Sequence, residues 1–188
     1  MAYVKKNIVT EGLSGTIGNR LVFRPRGSKT IVAQKPNKPN YPPSERQKQQ
    51  QNKFRAANRY AKQAMQDPSL KAAYAEKADD LQSPFNVAMG DYLNMPNITE
   101  MELGTYTGTK GHAIAITVVD DYLVADVQVA LYNKAGNLLE EGPATLDDNG
   151  LDWVYTTQKA NGQPKGSRLV IRASDLPGNI SEKEAQLA

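Results

Sequence analysis

Ile114-Ala-Ile-Thr-Val-Val-Asp-Asp121, followed by Val127-Gln-Val-Ala-Leu-Tyr132, places an apolar residue at nearly every second position. That period belongs to a strand with one face in a core and the other in water. Trp153 and Tyr155 repeat the pattern, as do Leu169 and Ile171. Turn signals separate these runs: Lys134-Ala-Gly136-Asn137, Asp147-Asp-Asn-Gly150, Asn161-Gly162 and Pro177-Gly178-Asn179. About seven strands at this spacing, around the chain's single tryptophan, predict an antiparallel β-sandwich over residues 98–188.

Before residue 98 the period is helical. Ser44 is a good N-cap for a helix from Glu45 to Gln66, with Phe54, Ala57, Ala61, Ala64 and Met65 on one apolar stripe. At about 100° per residue, Lys48, Arg55, Arg59 and Lys62 gather on another side of it. Asp67-Pro68 and Ser83-Pro84 each pair an N-cap with proline at the first helical position. They open two further helices, the first carrying Leu70, Tyr74 and Leu81, the second Phe85, Ala88, Met89, Tyr92 and Leu93. Three such stripes can meet in a small bundle.

Earlier still, Leu21-Val-Phe-Arg24 and Thr30-Ile-Val-Ala33 bracket Pro25-Arg-Gly27-Ser28 and predict a β-hairpin. A phosphate-binding loop does not fit here. Gly27-Ser28-Lys29-Thr30 has serine where the Walker motif demands lysine, and Gly12, Gly15 and Gly18 do not form Gly-x-Gly-x-x-Gly. Lys35-Pro36-Asn-Lys-Pro39-Asn-Tyr-Pro42-Pro43 is an extended spacer, because its prolines fix φ and remove amide donors. The fold class is therefore α+β and multi-part. Residues 1–97 supply a basic hairpin, the spacer and a small helical region, and residues 98–188 the sandwich.

Charge divides along the same line. Residues 1–62 hold fourteen Lys/Arg and two acids, whereas residues 101–188 hold seven Lys/Arg and twelve acids. Such asymmetry suits a chain that presents one face to an anionic partner. Arg20, Arg24, Arg26, Lys29 and Lys35 around the hairpin, with Lys48, Arg55, Arg59 and Lys62 on the first helix, form the candidate anion-binding set. They suit nucleic-acid phosphates, an acidic protein surface, or simple solvation. The absence of cysteine removes disulfides, thiolate zinc sites and Cys nucleophiles. His112, the only histidine, reads as an exposed residue at a strand start, without partners for catalysis. No cofactor or enzymatic activity is expected. Lys5-Lys6 has no apolar run behind it, so a signal peptide is not expected. The chain reads as soluble and made in the cytoplasm, with export by another route left open.

In Ig strand order, Asp120-Asp121 falls between the second and third strands and Asp175 to Asn179 between the sixth and seventh. Both loops emerge at one end, so Asp120, Asp121, Asp175 and Asn179 can converge as hard oxygen ligands for Ca²⁺. The competing explanation is turn chemistry, since Asp and Asn bond their own backbone in turns. Asp147-Asp-Asn-Gly150 fails the EF-hand register and reads as a hairpin turn.

The C-terminal half resembles bacterial immunoglobulin-like domains. The likeness rests on Ile114 to Asp121, Val127-Gln-Val-Ala-Leu-Tyr-Asn-Lys-Ala-Gly136, Glu141-Gly-Pro-Ala144, Trp153-Val-Tyr155 and Val170-Ile-Arg-Ala-Ser-Asp-Leu-Pro-Gly-Asn179. It implies a binding or spacer role without enzymatic activity. The N-terminal half is similar to a group of uncharacterised bacterial proteins, through Gly12-Leu-Ser-Gly15-Thr-Ile-Gly18, the basic Pro-rich spacer and the helix from Gln47 to Phe54. A weaker likeness to high-mobility-group boxes rests on Asp67-Pro-Ser-Leu-Lys-Ala-Ala-Tyr-Ala-Glu-Lys-Ala78, without the box's central tryptophan helix. The expected function is a non-enzymatic interaction or structural protein with a protein partner or self-association. By analogy, it would be a component of a phage-like or secreted assembly. The alternative is nucleic-acid binding through the hairpin and first helix.

Overall fold

The computed structural model describes residues 2–5 (backbone alone), 8, 10, 12–27, 29–37, 41–79, 81–104 and 106–187. Ser28 of the hairpin loop and Lys38, Pro39 and Asn40 of the spacer lie outside the described residues. The chain is α+β, and the described residues form three helices and three antiparallel four-stranded sheets.

The N-terminal sheet comprises β1 (Ala2–Lys5), β2 (Gly15–Ile17), β3 (Leu21–Arg26) and β4 (Lys29–Gln34), paired in the order β1-β4-β3-β2. The predicted hairpin is β3–β4, with Arg26 opposite Lys29 and Phe23 opposite Val32. The structure adds β1 beyond β4 and β2 beyond β3. Strand alternation gives the sheet two unlike faces. Arg24, Arg26 and Lys29 share one of them with Ile31; Ile17, Leu21, Phe23, Pro25 and Val32 share the other.

Helix α1 (Glu45–Ala64) starts in a capping box. The Ser44 hydroxyl accepts from the Gln47 amide at 3.3 Å and the Gln47 side chain accepts from the Ser44 amide at 2.8 Å. Asp67 and Ser83 cap α2 (Pro68–Lys77) and α3 (Pro84–Leu93), each with proline in the first turn. The helices meet through small residues: Ala57, Ala61 and Ala64 of α1 are buried with Ala88 and Met89 of α3 and Tyr74 of α2. Alanines at three-to-four spacing let the two backbones approach closely. Phe54 corrects the sequence reading. It is 56 % exposed, whereas the buried part of the stripe is Ala57, Ala61 and Ala64.

Eight strands follow, one more than expected: β5 (Asn97–Met101), β6 (Ala113–Val119), β7 (Val124–Tyr132), β8 (Leu138–Pro143), β9 (Thr145–Leu146), β10 (Asp152–Thr156), β11 (Arg168–Asp175) and β12 (Ile180–Gln186). The additional strand, β9, is two residues long, too short to leave a period in the sequence. The sheets run β5-β6-β10-β9 and β12-β11-β7-β8. Their inward residues build one core: Ile98, Ile114, Ile116, Val118, Trp153 and Tyr155 from the first sheet, with Val127, Val129, Leu131, Leu169, Ile171 and Ala173 from the second. One glycine is demanded by backbone proximity. Gly108, at φ +80°, accepts from the Asn161 amide at 2.8 Å, and a Cβ there would stand 2.2 Å from the Asn161 carbonyl oxygen. His112 is half-buried rather than exposed, its ring edge-on to Tyr106 at 5.4 Å between centroids.

Candidate functional site

Polar residues concentrate where α3 meets two loops of the two-sheet unit. Asp120 follows β6, and Asp175 closes β11 immediately after a register shift against β7 at Ser174/Asp175. Such a bulge re-aims a strand's last side chain. Asp91 comes from the last turn of α3. One carboxylate oxygen from each of Asp91, Asp120 and Asp175 lies within 4.8 Å of the other two. Asp91 and Asp175 are buried and Asp120 is half-buried.

Of the residues predicted to converge, the structure thus brings Asp120 and Asp175 together and adds Asp91. The other two do something else. Asp121 is exposed, and its carboxylate accepts from the Asn94 side-chain amide. Asn179 has two jobs. Its backbone amide donates to Asp175 Oδ1 at 2.6 Å, the local turn chemistry that competes with the ligand reading. Its side-chain amide reaches Asp175 Oδ2 at 2.7 Å and the carbonyls of Asn94, Tyr92 and Asp91 at 3.0, 3.2 and 3.4 Å. The last carbonyls of a helix lack intrahelical donors, so Asn179 caps α3 from across the molecule. Lys53 of α1 adds its ammonium to the Leu93 carbonyl at 2.8 Å.

A tyrosine chain leads into the cluster. Tyr74, fully buried, donates its hydroxyl to Asp91 Oδ2 at 2.5 Å. Its single proton being committed there, Tyr60 must donate to Tyr74 across the 2.8 Å between their hydroxyls. Tyr122, beside Asp121, stacks on Tyr74 with centroids 4.7 Å apart. Asp91 Oδ1 and Asp120 Oδ2 are buried with no hydrogen-bond partner among the described residues. No ion pair among the described residues reaches the three carboxylates. An open cleft of about 530 Å³ is lined by Asp91 of the three, together with Asp121, Arg26 and Lys77.

Burial raises the Asp91 carboxyl to about 6. The Tyr74 hydrogen bond opposes the rise and the charges of Asp120, Asp175 and Asp121 add to it. Asp120 is likewise raised, first by burial and then by its acidic neighbours. The sign follows from linkage: a carboxyl that binds its proton more tightly folded than unfolded stabilises below its unfolded value, and that contribution is lost as pH rises through the folded one. In EDTA, Asp91 should therefore lower the stability of the helical region by on the order of 2–3 kcal/mol as pH rises from about 4 to above 6. Urea titrations across this window measure it. The decline should flatten in Asp91→Asn, and an unchanged slope in that variant would assign the effect to other carboxyls.

The predicted basic residues occupy two surfaces. Arg24, Arg26 and Lys29 share one face of the N-terminal sheet, with Arg20 in the adjoining turn and Lys35 bonded through its ammonium to the Asn19 side chain. On α1, Lys48 pairs with Glu45 at 2.7 Å and Arg55 reaches Asn52 at 3.3 Å, while Arg59 and Lys62 are exposed. Phe54, Arg55, Asn58 and Arg59 line an open hollow of about 390 Å³.

Sequence reasoning missed Asp91. Its signal is an acid three residues after Ala88, beside the apolar stripe of a helix where a solvated residue is not expected.

No protein-family model matches the sequence, and no curated protein matches it. Among solved structures, the chain is similar to CopC from Methylosinus trichosporium OB3b, at TM-score 0.36 and 11% identity over 47% of this chain and 87% of that one. It is also similar to an engineered protein, at TM-score 0.33 and 16% identity over 65% of this chain and 28% of that one. Both scores are too low for either likeness to bear on fold or function.

Proposed function

We propose that this chain is a non-enzymatic interaction protein in which an Ig-like sandwich carries a basic module that binds another protein or a second copy of itself. Strand order supports the Ig-like part. Ig sandwiches pair strands A-B-E-D in one sheet and G-F-C in the other. The orders β5-β6-β10-β9 and β12-β11-β7-β8 follow that scheme, with β8 as an added edge strand.

The observation that carries the interaction reading is the N-terminal sheet. Ile17 and Leu21 are 52 % and 45 % exposed on its apolar face, where only Phe23 among the described residues is buried, and no helix or sandwich strand makes more than slight contact with the sheet. A sheet this small needs a covered apolar face for stability, and its opposite face is cationic. Size-exclusion chromatography with light scattering, beside pull-downs with the full chain, tests this. Self-association or a captured partner that weakens in Leu21→Asp supports it. A strict monomer that captures nothing counts against it.

One observation favours a second reading, nucleic-acid binding. Phe54 stands exposed among Arg55 and Arg59, and an aromatic beside arginines can stack on an unpaired base. Fluorescence anisotropy with duplex and single-stranded DNA at low salt decides it, because electrostatic screening is weakest there. If binding occurs, Arg55→Ala and Arg59→Ala should each reduce the salt slope by about one. No binding at low salt sinks this reading.

A further inference from the structure

We infer that Asp91, Asp120 and Asp175 form a Ca²⁺ site that fastens helix α3 to two loops of the two-sheet unit. The inference stands apart from whatever the N-terminal sheet binds. Three carboxylate oxygens within 4.8 Å of one another have the spacing of ligands around one ion, since oxygens at about 2.3–2.6 Å from Ca²⁺ lie at most about 5 Å apart.

Proximity of acids alone would not make a site. Asp91 supplies the independent evidence: it is only 1 % exposed, yet its Oδ1 has no donor. A buried charged oxygen without a partner is expensive and calls for an explanation. Asp120 Oδ2, also buried, lacks a donor in the same way. Among the described residues, the groups that could have neutralised the cluster do not. Tyr74 satisfies only the other oxygen of Asp91, and Asn179 serves Asp175. Arg26 and Lys77 line the adjoining cleft without forming an ion pair here.

The chemistry selects the ion. All donors are hard oxygens, with no histidine or cysteine among them, which excludes the softer set preferred by zinc or copper. The three carboxylates come from a helix and two loops far apart in sequence, an assembly of adjustable geometry that suits Ca²⁺ better than octahedrally demanding Mg²⁺. Water would complete the coordination from the open cleft. A bound ion would relieve the mutual repulsion of the carboxylates and hold together segments that otherwise meet mainly through Asn94, Asn179 and the Tyr74–Tyr122 contact.

The test uses the full chain stripped with EDTA, titrated calorimetrically with CaCl₂ and with MgCl₂ at neutral pH. Terbium luminescence excited through tyrosine gives a second readout, because Tyr74 touches Asp91 directly. The expected result is saturable binding of one Ca²⁺ per chain, tighter than Mg²⁺, with a melting temperature that rises with Ca²⁺ concentration. Ca²⁺ should also quench the terbium signal by displacement. Asp91→Asn, nearly isosteric and still able to accept from Tyr74, should weaken binding by about tenfold or more, as loss of a charged ligand does. Asp120→Asn, at a half-buried position, gives the same test should Asp91→Asn fail to fold. Neither heat nor a thermal shift at millimolar Ca²⁺, or binding unchanged in both variants, overturns the site.

Discussion

Trp153→Ala is expected to destabilise the two-sheet unit by about 3–5 kcal/mol, the usual cost of emptying a buried aromatic site. Trp153 is 9 % exposed and sits in register with Ile116 on β6 and Leu146 on β9, its side chain within the core that both sheets share. Its inward neighbours include β-branched residues such as Ile116, which are stiff in their rotamers and cannot swing into the space. A domain of this size has little more stability than that to lose. Urea unfolding followed by far-UV circular dichroism measures the change. The wild type offers a direct check, because one tryptophan means one emission signal. Blue-shifted native emission that moves red on unfolding is expected. Emission like that of the free amino acid, readily quenched by iodide, would place Trp153 on the surface and void the prediction.

Tyr74→Ala should cost a similar amount, about 3–5 kcal/mol, in the other core. Tyr74 is the largest fully buried side chain of the helical cluster, and its hydroxyl is the only hydrogen-bond donor to the Asp91 carboxylate among the described residues. Removing it opens a cavity and leaves a buried carboxylate without a partner, two penalties in one substitution. Trp153 lies in the two-sheet core, so its emission follows that unit. The helical dichroism should melt at lower urea, while the midpoint seen by Trp153 moves little. Equal shifts in both signals would show that the polar junction welds the two cores into one cooperative unit.

Much of the fold is legible because its elements announce themselves locally. The alternation of Ile114, Ile116 and Val118, or of Val127, Val129 and Leu131, specifies a strand with one wet face. Asp67-Pro68 and Ser83-Pro84 mark two helix starts with the residues the caps require. What the sequence hides is decided at long range. Phe54 continues the apolar stripe of α1 without fault, yet the tertiary packing leaves it in solvent. Strands β2 and β9 are too short to carry a period. The candidate site was half legible. Asp120 and Asp175 follow from strand order and a shared end, whereas Asp91 reaches them only because α3 docks there. Asn179 looks like a turn residue, and it is one, but its side chain spends itself on a helix more than eighty residues away in sequence.

Strand direction has a mechanical consequence. The chain passes into β5 at Asn97, opposite Val119, beside the Asp120 end of the two-sheet unit. Its last described strand finishes at Gln186, opposite Arg168, at the start of the strand that ends in Asp175. The seven steps from Arg168 to Asp175 in β11, at about 3.3 Å each, separate these ends by about 23 Å. Tension drawn along the chain would therefore pull β5 and β12 lengthwise against β6 and β11. Ladders loaded in that direction strain many hydrogen bonds at once instead of unzipping them singly. Under stretch, the two-sheet unit should be a stiff link, with the α3 contact at its proximal end the first joint to yield.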